Sequence, residues 1–123
     1  MKSVSLVSMF LMALALLPSV SHAANIHGGT FVRVQSPESD GVEVELGACE
    51  GYDTCVTVKL IPPGKESKAA VGCAFFKGNV SGDSGSGKLS ACGMLSRTGT
   101  FKVVDKDSFN VEGGGELRIY RRK

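Results

Sequence analysis

The 123-residue chain has no tryptophan, two histidines, four cysteines and four prolines. Past residue 23 a single histidine remains, His27, and it stands beside Gly28-Gly29, where nothing local would hold it rigidly. A serine or cysteine nucleophile needs an imidazole base fixed by an orienting acid, so that chemistry is not expected. Nor is there a long apolar run after Leu17. A membrane-spanning helix takes about 20 apolar residues, and integral membrane insertion is excluded on that ground. Charge is nearly balanced, 14 Lys+Arg against 12 Asp+Glu, which excludes a binder of nucleic acid driven by charge. No C-x-x-C occurs, and no histidine pair lies near a cysteine, so no metal site is expected.

What is present begins with an address. Lys2 precedes an apolar run, Leu6 to Leu17, interrupted only by Ser8, and then come Pro18 and Ser19-Val20-Ser21-His22-Ala23. A short basic start, a 12-residue apolar core and small residues at −3 and −1 predict a secretory signal peptide over 1–23, cut after Ala23. Residues 24–123 then form one domain of 100 residues. The chain is expected to be exported, to a periplasm or the cell exterior, with no cysteine just after the signal to carry a lipid membrane anchor.

All 16 glycines lie in this domain, with 14 Val and Ile against 6 Leu and Met. β-branched residues suit a pleated, half-buried surface and glycine suits tight turns, so the domain is expected to be all-β. Alternation is clearest over Val42, Val44, Leu46 and Ala48, with Glu43, Glu45, Gly47 and Cys49 on the other face. It resumes after Glu50–Thr54 with Val56, Val58 and Leu60 against Cys55, Thr57 and Lys59. Further strands are expected near 30–35, 70–77, 88–95, 100–105, 108–112 and 116–122, the last with Leu117 and Ile119 inward. The Gly78–Gly87 tract reads as a loop. About eight short strands joined by turns predict a small closed meander barrel or a sandwich. Side chains are expected to fill so small a barrel.

In an exported chain Cys49, Cys55, Cys73 and Cys92 are expected to be oxidised, and four cysteines allow three pairings. The strand faces favour two of these bonds. Cys49 and Cys55 fall on the outer face of one hairpin, and Cys73–Cys92 would staple sequential strands.

Candidate sites are few. Gly82-Asp83-Ser84-Gly85-Ser86 is close to the Gly-Asp-Ser-Gly-Gly of chymotrypsin-like proteases, but with only His27 to serve it the string reads as a polar loop. Glu43/Glu45 alternate with valines as a solvated face does, and Asp105/Asp107 bracket a turn. Arg118, Arg121, Arg122 and Lys123 read as a solvated basic end. Asn79-Val80-Ser81 is a sequon. The best partner-binding candidate is the loop with Glu50, Tyr52 and Asp53, because an aromatic on a disulfide-held loop binds at low entropic cost.

With the strands placed, the order of motifs resembles domain-of-unknown-function family 2147, small exported bacterial proteins with a lipocalin-like fold. Gly29-Thr30-Phe31 matches the opening Gly-x-Trp strand, and Val42–Cys49 with Cys55–Leu60 match its Cys-loop-Cys hairpin. Ser86-Gly87-Lys88-Leu89-Ser90 matches a Ser-Gly-Lys turn, and Arg118-Ile119-Tyr120-Arg121-Arg122 is the counterpart of the closing strand. The resemblance implies a barrel and an exported compartment, and no catalytic residues or cofactor. The expected function is binding, not catalysis, of a small apolar ligand at the barrel mouth or of a protein through the loops. A secreted inhibitor or host-directed effector is the alternative.

Overall fold

The computed structural model describes residues 26–93 and 95–123. The expected signal peptide lies outside the described residues. Eight strands follow one another: β1 (Gly29–Val34), β2 (Glu43–Cys49), β3 (Tyr52–Leu60), β4 (Ala74–Gly78), β5 (Ser84–Leu89), β6 (Arg97–Asp105), β7 (Ser108–Gly113) and β8 (Glu116–Arg122). Each pairs antiparallel with the next, and β1 pairs with β8 to close a meander barrel. The all-β barrel expected from the alternation is therefore the fold. No helix among the described residues is long and apolar enough to cross a membrane.

The inward faces follow period two. Phe31, Val44, Val56, Phe76, Phe101, Phe109 and Val111 are fully buried. Their rings pack in sequence across the barrel: Phe76 lies 5.8 Å from Phe101, Phe101 4.9 Å from Phe109, and Phe109 5.1 Å from Tyr120. Each such side chain taken out of water contributes roughly 1.5–3 kcal/mol. Phe75 and Phe76 are adjacent yet both buried. The pairing explains this, because Val56 faces Phe76 while Thr57 faces Ala74, leaving Phe75 as the extra residue of a bulge.

Two readings of the strands are corrected. Half of the glycine- and serine-rich tract is strand, Gly78 ending β4 and Ser84–Gly87 opening β5, and the expected strand 88–95 ends at Leu89. Glycine is needed there by contact. Gly78, Gly87 and Gly99 are register partners across β4, β5 and β6, and a β-carbon on Gly87 would stand 2.7 Å from the Gly78 Cα. Side chains here would hold these backbones apart, so glycine is what lets the three strands pair this closely. In β8, Leu117 is half exposed, while Tyr120 is 2% exposed and faces inward together with Arg118 and Glu116. Choosing the aliphatic face put the strand the wrong way round, because the aromatic ring carries more buried area than either aliphatic neighbour.

Both expected disulfides form, Cys49–Cys55 and Cys73–Cys92, and no cysteine is free. Cys49–Cys55 crosses the β2–β3 hairpin beside a register shift; Cys55 is buried, though outside the main apolar cluster. Cys73 and Cys92 lie just outside β4 and β5, so their bond ties together two loops at one end of the barrel and not two strands. Two bonds with no thiol left over point to an oxidising, exported environment.

Candidate functional site

The two ends of the barrel differ. At one, Ile26 and Val80 pack into the core, and Arg122 stands 4.6 Å from the Phe31 ring centroid. Arg122 donates to the carbonyls of His27, Gly28 and Lys106 and to the Asp107 carboxylate. This residue, read as part of a solvated basic end, is a clamp that closes the barrel.

The other end is formed by the long connections 35–42, 61–73 and 90–96, and it holds a cavity of about 950 Å³. The aromatic packing fills the lower barrel, as expected of so small a domain, but the upper part is open. Phe75 and Tyr120 line the cavity with Val44, Val58 and Leu89. Pockets of 300–1,000 Å³ lined by apolar groups with a few placed polar ones are typical ligand sites. Exposed apolar residues gather at the same end: Leu60 closes β3, Val71 and Leu95 lie in its loops, and Leu117 is near the start of β8.

Loop residues such as Glu38, Glu66 and Lys68 supply part of the cavity's polar lining, and its two most buried cations come from β1 and β8. Arg33 follows Phe31 by two positions and Arg118 precedes Tyr120 by two, so both share the inward face. Their side chains are only 10% and 13% exposed. Arg33 Nη2 lies 3.3 Å from Glu116 Oε2, and Arg118 Nη2 lies 3.0 Å from Glu116 Oε1. Lys68, from the loop above, reaches the same Oε1 at 3.2 Å. Aromatic faces steady both guanidinium groups, Arg33 at 5.9 Å from the Tyr120 centroid and Arg118 at 5.9 Å from that of Phe75.

Three cations thus surround one carboxylate. Partial burial pushes the Glu116 carboxyl upward, but Arg118 and the hydrogen bonds from Lys68 and Arg33 outweigh it, and its pKa lies below the ordinary value. Tyr120 goes the other way: burial pushes its hydroxyl up to about 12, against the pull of Arg33 and Arg118. Among the described residues, Arg33 Nε and Arg118 Nη1 are buried and meet no acceptor of the chain.

The partner-binding residues expected from sequence lie at the closed end. The loop shortens to the turn Glu50-Gly51, with Glu50 exposed. Tyr52 is half-buried, opens β3 and pairs with Cys49. Asp53 acts as a pin. Its Oδ1 accepts from the Val80 N–H at 2.9 Å and the Thr54 hydroxyl at 2.8 Å, and its own N–H donates to Asn79 Oδ1 at 3.0 Å. Among the described residues no group of three or more His, Cys, Asp or Glu is placed to hold a metal ion.

Arg33, Glu116, Lys68 and Arg118 were not singled out from the sequence as a site. The available signal was the spacing of two between an arginine and a core aromatic on the same strand. Comparison with protein-family models, curated proteins and solved structures returns no match for the chain.

Proposed function

We propose that this is an exported binding barrel, sent out by the signal peptide over 1–23, that takes a small apolar-bodied molecule into its open end without catalysing a reaction on it. The observation that carries the reading is the cavity of about 950 Å³ above a filled aromatic core. Phe75 and Leu89, each slightly exposed on its wall, and Leu95, almost wholly exposed at its rim, gain by exchanging water for apolar ligand surface. The likeness to family 2147 supports the reading at the level of architecture, since a lipocalin-like barrel binds at its mouth.

The test is a titration of oxidised, 15N-labelled protein with the neutral probe N-phenyl-1-naphthylamine. A saturable rise in fluorescence at 1:1 stoichiometry is expected, with amide shifts at Arg33, Val58, Leu89 and Arg118. The amides of Glu50, Tyr52 and Lys106 at the closed end should stay still. Shifts confined to Glu50 and Tyr52 would move the site to the hairpin loop, and no saturable uptake would end the cavity reading.

A further inference from the structure

The open cavity carries a charge that its own carboxylates do not cancel. Arg33, Arg118 and Lys68 face Glu116, and with Arg97, Glu38 and Glu66 also on its lining the cavity sets four cations against three carboxylates, one positive charge in excess. Glu38 and Glu66 line the same cavity from its loops but are exposed, and neither pairs with a cation there. Arginine side chains only 10% and 13% exposed have lost most of their water, and an uncompensated buried charge is costly unless an anion comes to it.

The geometry also selects the anion. Each guanidinium carries five N–H donors in a planar fork that fits a carboxylate with two parallel bonds. Here each fork gives Glu116 a single hydrogen bond, and among the described residues Arg33 Nε and Arg118 Nη1 meet no acceptor. Both forks are therefore underused by the group they hold. Glu116 is placed to leave: it opens β8 at the rim, its side chain is 34% exposed, and Lys68 beside it is 78% exposed. A carboxylate displaced outward would keep its lysine partner in solvent.

We infer that the ligand is a monocarboxylate with an apolar body, and that its carboxylate takes the forks of Arg33 and Arg118 by displacing Glu116 toward Lys68. This rests on the reading that the cavity takes an apolar-bodied molecule, and it adds the head group and the exchange. Phe75, Leu89 and Leu95 hold the body of the ligand while Glu116 acts as a resident competitor for its head.

Calorimetry with decanoate and decanol, which share a chain length, tests both parts on the oxidised protein at pH 7. Decanoate is expected to bind at least ten-fold more tightly than decanol. Arg118→Gln should cut that preference below three-fold with decanol little changed, and Glu116→Gln, of the same shape but uncharged, should tighten decanoate several-fold and leave decanol alone. If Arg118→Gln fails to fold, the wild-type comparison and Glu116→Gln still decide. Equal affinities for decanoate and decanol, or uptake of the naphthylamine probe with neither bound, would overturn the carboxylate head group while the cavity reading stands. Unchanged decanoate affinity in Glu116→Gln would overturn the exchange. Failure of all three probes to bind would bring down the cavity reading itself.

Discussion

Raising the pH through the range in which phenols ionise should cost this barrel stability through one residue, Tyr120. In the unfolded chain its hydroxyl ionises near 10.0, whereas burial at 2% exposure holds it neutral in the fold up to about 12. Below pH 10 the hydroxyl is neutral in both states and the full contribution is present. Between 10 and 12 the unfolded state sheds its proton first, so unfolding is increasingly favoured. Two pKa units at about 1.4 kcal/mol each set a ceiling of about 3 kcal/mol, of which about 2 kcal/mol is lost by pH 12, where the folded hydroxyl is half ionised. The chain has two tyrosines and no tryptophan, so Tyr52→Phe leaves Tyr120 as the only phenol and its ionisation can be followed at 295 nm without interference. Urea unfolding of that variant at pH 9, 10, 11 and 12, beside the Tyr52→Phe/Tyr120→Phe double variant, removes the contribution of lysines, which both share. An absorbance midpoint near 10, or parallel loss of stability in the two variants, would refute the reasoning and put the Tyr120 hydroxyl in water.

Three further outcomes follow from packing and linkage. Gly87→Val should cost roughly 1–3 kcal/mol in urea unfolding, because its β-carbon meets the neighbouring backbone at Gly78, whereas Gly47→Ala, with nothing within 4 Å, should stay within about 0.5 kcal/mol. Replacing Cys73 and Cys92 by serine should cost about 3 kcal/mol and replacing Cys49 and Cys55 about 2 kcal/mol, since the bonds span 19 and 6 residues; equal losses would argue against a loop-entropy origin. The ion cluster should matter in acid: with the Glu116 pKa depressed, its contribution is complete above the ordinary value of 4.5 and is lost as pH falls through the lowered one. Melting temperatures from pH 6 to 3 should therefore fall more steeply in the wild type than in Glu116→Gln.

The sequence made the barrel and its bonds legible wherever two-fold alternation was clean. Val42, Val44 and Leu46 against Glu43 and Glu45 placed β2, and with Val56 and Val58 they set Cys49 and Cys55 on the outer face. β5 was hidden because Ser84-Gly85-Ser86-Gly87 carries the composition of a loop, and only a partner backbone close by makes it a strand. The site was hidden for a related reason. Arginine and glutamate at alternate positions read as a solvated face, and nothing local tells that Arg33, Glu116 and Arg118 point into a cavity. That fact depends on Phe31 and Tyr120, which turn their strands so that the polar residues two positions away must follow.

The Arg122 clamp has a consequence for handling the molecule. It fastens the carbonyls of His27 and Gly28 to the last turn of the barrel wall, and the Lys123 N–H donates to the carbonyl of Thr30. Both ends of the folded chain therefore leave from the face opposite the cavity. A tag, a surface linker or a fused domain attached after Lys123 would stand the barrel upright with its mouth to the solution, so that immobilised and free protein should give the same affinities.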